Sequence, residues 1–265
     1  MEGMTEEYFN LGIFLTLTHG FPLVENAPFV FRPPGYPFFI ASVLTIWGGL
    51  SDEEAKLRNS SDRELEIDIK DAVVVVLVAQ CLLLSFSSVF LFLWLSSFIS
   101  LPVAMSFALA FGCNPYTIIL AGLFHYGLLH IFFIIIASYA LSHAATNPKP
   151  VGLYLFFAGA LWGLSALVRP VALIVPVFAF FIFLYRFWPS WMSIGKATLV
   201  FTIGMAVVIA PYTLRNYALT QRFIPVNAQA GAVFWGPRRP NLIGTRITSD
   251  GGLFGAAVES RFFKR

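Results

Sequence analysis

The chain has 265 residues, of which 58% are hydrophobic, only 12% are charged and 29 are Phe. Soluble domains carry about 25% charged residues, so this composition excludes a soluble globule, a disordered chain and a disulfide scaffold. The net charge of +3 hides a division: residues 1–71 hold 12 of the 14 carboxylates but 5 of the 17 Lys and Arg, and no Asp or Glu lies between Asp71 and Asp250. The reading is an integral, multi-pass, all-α membrane protein. Its carboxylate chemistry is confined to the first 71 and last 16 residues.

Residues 1–37 are amphiphilic, because Glu2, Glu6, Glu7, Glu25 and Arg32 interrupt the apolar runs. The apolar run Tyr8–Leu15 is too short for the roughly 20 residues that cross a bilayer as helix. It predicts a helix lying at the interface, within an external loop. Arg32-Pro33-Pro34-Gly35-Tyr36-Pro37 then blocks backward extension of any helix and suits the first turn of the next. A short apolar helix follows over Phe38–Leu50. The polar segment Ser51–Asp71, with eight acids against four bases, reads as a flexible cytoplasmic loop.

The long apolar stretches are Ala72–Ser100, Leu101–Gly112, Ile118–His143, Gly152–Val168, Val171–Trp188 and Ala197–Thr213. With Phe38–Leu50 they predict about seven spans in a transmembrane domain over 38–213. The breaks are Pro102, Asn114-Pro115, Asn147-Pro148-Lys149-Pro150, Arg169-Pro170, Trp188-Pro189 and Pro211. Gly159-x-x-x-Gly163 fits a close-packing pattern for helix pairs and, equally, the ordinary frequency of Gly in membrane helices. Residues 214–265, rich in Arg, Gly, Pro and Asn, read as a soluble external tail. Cys81 and Cys113 sit in apolar runs and are expected as small buried hydrophobes. His125, His130 and His143 have no spacing that aligns metal ligands on one helix face, so no metal site is expected from them. Whether the chain needs a divalent metal is not readable.

Charge placement predicts relative topology. Lys149, Arg186 and Lys196 share a side, which the positive-inside bias puts in the cytoplasm, and Arg169 and Arg215 share the other. Charges at a membrane edge are functional candidates, since they are costly to leave there. Arg169 sits between two apolar spans, where a planar fork suits phosphate oxygens or, equally, a snorkelling contact with headgroups. Arg215 and Asn216 occupy another edge, and Arg32 and Tyr36 flank the Pro-rich turn. Arg32, Arg169 and Arg215 are expected to converge on one external pocket for an amphiphilic phosphate. Tyr36, Tyr212 and Tyr217 also fit an interfacial aromatic belt. A base needs a carboxylate, and Glu6-Glu7 ahead of Tyr8 is the best placed.

Four segments in order carry a resemblance: Phe31–Ala41, Asn114–Gly122, Gly159–Pro170 and Ala210–Tyr217, the last continuing through Arg222–Asn227 to Gly231 and Gly236. They resemble membrane glycosyltransferases of GT-C type, the superfamily of protein O-mannosyltransferases and lipid A aminoarabinose transferases. The resemblance implies inverting transfer of a sugar from a polyprenyl (dolichyl or undecaprenyl) phosphate to an acceptor on the external face. It also implies a lipid-linked sugar donor and membrane lipids as partners, an acceptor drawn from protein, lipid or glycan, and no nucleic acid. The membrane would be the bacterial inner membrane, or the endoplasmic reticulum in a eukaryote. In the family a loop Asp just before the tyrosine matched by Tyr8 acts as base. Here Met4-Thr5-Glu6-Glu7-Tyr8 leaves Glu6 or Glu7 for that role, and Phe124-His125-Tyr126-Gly127 stands where many relatives carry a Glu. The family's helix ahead of the loop is missing, so the chain reads as truncated at both ends. The alternatives are an inactive relative serving as a membrane partner and a non-enzymatic binder or transporter of amphiphilic phosphates.

Overall fold

The computed structural model describes residues 2–20, 23–24, 27–28, 32–50, 70–146 and 151–227, with backbone alone at 2–6, 23–24, 27–28, 145–146 and 151. The proposed cytoplasmic loop, but for its last two residues, and the tail beyond 227 lie outside that description. In chain order the elements are α1 (Glu2–Thr18), the two-residue strands β1 (Leu23–Val24) and β2 (Ala27–Pro28), and α2 (Gly35–Trp47). Then come α3 (Lys70–Leu95), α4 (Leu101–Gly112), α5 (Pro115–Ala121), α6 (Gly127–Thr146) and α7 (Val151–Val168). A 3₁₀ turn (Pro170–Ile174), α8 (Val175–Phe187) and α9 (Trp191–Thr220) complete them.

Four of these segments are long and apolar enough to cross a membrane: Lys70–Leu95, Gly127–Ala144, Pro170–Phe187 and Trp191–Thr220. A fifth is reached if α4 and α5, bent by 52° at their break, count as one span. The chain is therefore a membrane-embedded helical protein, and among the described residues the expected seven spans are not found. Gly35–Trp47 and the fully described part of α7, Gly152–Val168, are apolar but shorter than those four segments. The expected span Ile118–His143 is cut between Ala121 and Gly127, where no proline marked a break. Conversely, Pro211 does not end α9, which runs on to Thr220 and carries Arg215 and Asn216 on helix rather than in a tail. Proline inside a membrane helix is tolerated when neighbouring groups take over the freed carbonyl.

Two compact units emerge, Met1–Ala79 with Gly122–His125 and Asn227–Arg265, and Gln80–Ala121 with Tyr126–Val226. In the first, α1 packs along α2, with Gly12 against Ile40, and Leu11, Ile13, Ile40 and Leu44 are buried. Burial extends around α1, to Phe9, Leu15 and Leu17. Phe9 stacks on Phe124 with centroids 4.3 Å apart.

The second unit is built on α6, α7, α8 and α9. His143 stacks on Tyr154 at one end of the α6–α7 pair, and His130 meets Ser165 at the other, so these helices run antiparallel. α7 and α9 run parallel, because Gly159 lies on Phe201, Gly163 on Met205, and Gly204 on Phe156 and Ala160. α8 packs beside α9, adding Ala179 and Phe183 to a core with Leu155, Ala158, Ile194 and Phe201. Arg169 and Arg215 consequently share one end of this unit, and Arg186 and Lys196 belong to the other.

Elsewhere in the unit, the break between α4 and α5 is stitched by side chains. Thr117 Oγ1 donates to the carbonyls of Phe111 (2.7 Å) and Asn114 (2.8 Å), and Gln80 Nε2 donates to the Ala121 carbonyl (2.9 Å). Such bonds replace the water a broken helix would otherwise need. Cys81 and Cys113 are exposed rather than buried. They stand on helix surfaces beside exposed apolar residues such as Leu82 and Leu109, so their apolar surroundings in sequence reflect an outer rather than an inner face.

The glycines at the α7–α9 crossing allow backbone-to-backbone approach. A Cβ at Gly204 would overlap the carbonyl of Phe156, and one at Gly163 would stand 2.9 Å from that of Met205. Gly204→Leu is expected to lower stability by about 1–3 kcal/mol or more, since overpacking must push the helices apart. Chemical denaturation in detergent checks it. A stability equal to the parent's would mean that the helices do not touch there.

Candidate functional site

The described candidate residues form three groups, one in the first unit and two in the second. In the first unit α1 presents Glu7 and Tyr8, and the turn entering α2 presents Arg32 and Tyr36. The Pro33-Pro34 pair stops α2 from extending backward, so Arg32 stands off the helix start and reaches α1. Arg32 donates from Nε to Glu7 Oε1 (3.1 Å) and from Nη2 to Glu7 Oε2 (2.6 Å). This is a bidentate ion pair, and both partners are buried, Glu7 at 5% exposure and Arg32 at 6%. The guanidinium also lies 5.7 Å from the Tyr8 ring centroid, and Tyr8 meets Tyr36 edge-on at 5.7 Å. Tyr36 is buried and stacks on Phe39. Glu6 neighbours Glu7 in α1, but its side chain lies outside the described residues.

In the second unit Arg169 follows the last turn of α7 in extended conformation, leaving the helix because Pro170 cannot follow a helical residue easily. It is exposed, and its guanidinium is 5.9 Å from the Tyr126 ring. One turn deeper, Ser165 Oγ lies 2.9 Å from His130 Nδ1, with Ser165 wholly buried and His130 nearly so. In the sequence alone His130 is a candidate only as a metal ligand, and Ser165 does not stand out. The four-residue spacings Tyr126/His130 and Ser165/Arg169 were the signal that could have found them.

Arg215 lies 5.3 Å from the Tyr212 ring and donates from Nη1 to Asn216 Oδ1 (3.1 Å). Asn216 is fully buried, and its Nδ2 donates to the carbonyls of Ile224 (3.0 Å) and Val226 (3.3 Å). Thr213 Oγ1 adds a bond to the Pro225 carbonyl at 2.8 Å. Asn216 thus pins the segment after α9, and Val226 joins Ala166, Ala172, Met205 and Ile209 in a small core. Asn216→Ala is expected to cost about 1–3 kcal/mol, because the buried Val226 carbonyl and the part-buried Ile224 carbonyl lose their donor. Faster limited proteolysis within 221–227 would accompany the lower melting temperature. Unchanged proteolysis would show that the side chain does not hold the segment.

Among the described residues no three His, Cys, Asp or Glu side chains gather as a metal site. Comparison with protein-family models, with curated proteins and with solved structures gives no match. The chemistry therefore rests on the groups themselves: a carboxylate held by a guanidinium in one unit, and cations without acids in the other. Residues 80–121 and 126–226 contain no Asp or Glu at all. Arg169, Arg186, Lys196, Arg215 and Arg222 therefore have no carboxylate within their own unit to pair with.

Proposed function

We propose that this chain transfers a sugar from a polyprenyl-phosphate carrier to an acceptor at the external membrane face, as the GT-C resemblance implies. The observation that supports it most is the Glu7–Arg32 pair, because a carboxylate and a cation suited to phosphate meet there from two segments of the proposed external loop. In this reading the pair is the resting state. A donor phosphate competes with Glu7 for the Arg32 fork, since both are anions of matching geometry. Opening the pair frees a carboxylate to take the proton of the acceptor hydroxyl as it attacks the anomeric carbon and the carrier phosphate leaves. Tyr36 lines the same cluster; in the second unit Arg169, and Arg215 held by Asn216, are proposed as phosphate contacts of that unit's own.

The experiment is transfer of labelled sugar from a polyprenyl-phosphate donor in proteoliposomes by the parent chain, Glu6→Gln, Glu7→Gln and the double variant. Transfer by the parent, lost in the double variant, is expected. Full activity in the double variant would eliminate both acids as the base. Phosphate binding without transfer in the parent would favour an inactive relative, or a binder or transporter of amphiphilic phosphates.

A further inference from the structure

The facing ends of α6 and α7 carry two stacked cross-helix contacts: Tyr126 with Arg169 at the rim and His130 with Ser165 one turn inward. Tyr126 immediately precedes α6 and Arg169 immediately follows α7, each four residues from its helix's member of the inner pair, so both contacts belong to one antiparallel register. We propose that His130, held by Ser165, is a phosphate-binding donor beside Arg169, and that this end of the α6–α7 pair takes the phosphate of an amphiphile. The proposal deepens the phosphate role given to Arg169 above and rests on it.

The Ser165 hydroxyl is wholly buried, and His130 Nδ1 lies beside it at 2.9 Å. A buried hydroxyl that left its proton unpaired would carry a desolvation cost, so it donates to Nδ1. The ring's own proton is then on Nε2, which makes that nitrogen a donor in a neutral imidazole. The imidazole cannot turn without breaking the Ser165 bond. A neutral N–H one turn below an exposed guanidinium gives two fixed donors of different reach, which suits an oxyanion with several oxygens. An arginine that only snorkels to headgroups needs no buried His–Ser pair beneath it. The unit holds no carboxylate to satisfy Arg169. Exposed Leu164 and Val171 on either side of Arg169 offer an alkyl chain an apolar track. The competing role is interhelical glue, in which the pair steadies α6 against α7 and touches no ligand.

The test is scintillation-proximity binding of radiolabelled farnesyl monophosphate to the full chain in neutral detergent, with stability measured alongside. Arg169→Ala and His130→Phe are each expected to weaken binding about ten- to a hundredfold, as for loss of a hydrogen bond to a charged group. His130→Gln keeps a donor and should recover much of the affinity. Ser165→Ala should weaken binding several-fold and alter the imidazole nitrogen NMR signals, with Ser165→Thr restoring both. Farnesol should not compete. Competition by inorganic phosphate alone would assign the site to free phosphate, and competition by phosphatidylglycerol to a lipid headgroup, each keeping the oxyanion site. Unchanged affinity in folded His130→Phe overturns the proposal, since interhelical glue predicts lost stability alone. If that variant does not fold, unchanged affinity in Ser165→Ala, or a parent imidazole protonated on Nδ1, overturns it. Binding that depends on His130 in a chain that transfers no sugar would end the transferase reading and keep this site. A transferring chain indifferent to His130→Phe would do the reverse.

Discussion

Glu7→Gln is expected to slow sugar transfer about 10²–10⁴-fold, the usual cost of losing a general base, while binding of the phosphate donor becomes tighter. Both oxygens of Glu7 are engaged by Arg32 in the resting pair, at 3.1 and 2.6 Å. In the proposed reaction the carboxylate is therefore a competitor of the donor phosphate as well as the base that follows its arrival. Glutamine preserves size and one acceptor oxygen but carries no charge, so it releases the guanidinium more readily and cannot take the acceptor proton. The two effects move in opposite directions. A merely structural role for Glu7 would instead weaken binding and turnover together. Steady-state kinetics decide: kcat should fall while KM for the donor falls too. Retained kcat in Glu7→Gln with loss in Glu6→Gln would move the base to Glu6.

Arg32→Ala is expected to destabilise the first unit by about 3–5 kcal/mol, because it leaves the buried Glu7 carboxylate without its counter-charge. Glu7 is 5% exposed, so water cannot take over from the lost guanidinium without opening the structure. The contact with the Tyr8 ring is lost as well. Replacing both partners by apolar residues of similar volume, as in the double variant Glu7→Leu with Arg32→Met, should recover most of the stability, since neither charge then remains to be buried. Denaturation of the four proteins of this cycle in one detergent gives the coupling directly. Additive losses would show that the two side chains do not interact.

The class of the protein was legible from the sequence by itself. The absence of any acid between Asp71 and Asp250 and the runs of Val, Leu and Phe demand a lipid environment, because no arrangement of such residues could be covered by water. Asn114-Pro115 and Arg169-Pro170 were readable as breaks for a local reason: the ring of proline acts on its own neighbours. Gly159 and Gly163 were readable as a candidate packing face, and the α7–α9 contact uses them.

The span count was not legible. Hydropathy measures transfer of a side chain from water, and it does not register that the chain turns between Ala121 and Gly127 or passes straight through Pro211. Only tertiary contacts decide those points, by supplying or withholding partners for the freed backbone groups. The same holds for the chemistry. Sequence identified Glu7 and Arg32 as candidates 25 residues apart, but their pairing depends on how α1 lies against the start of α2. Asn216 was selected for its polar side chain at a membrane edge, and the fold directs its amide at the backbone of Ile224 and Val226. His130 and Ser165, 35 residues apart, meet because α6 and α7 pack antiparallel in one register. A hydrogen bond between helices is a property of that register, which residue type and spacing along either helix alone do not determine.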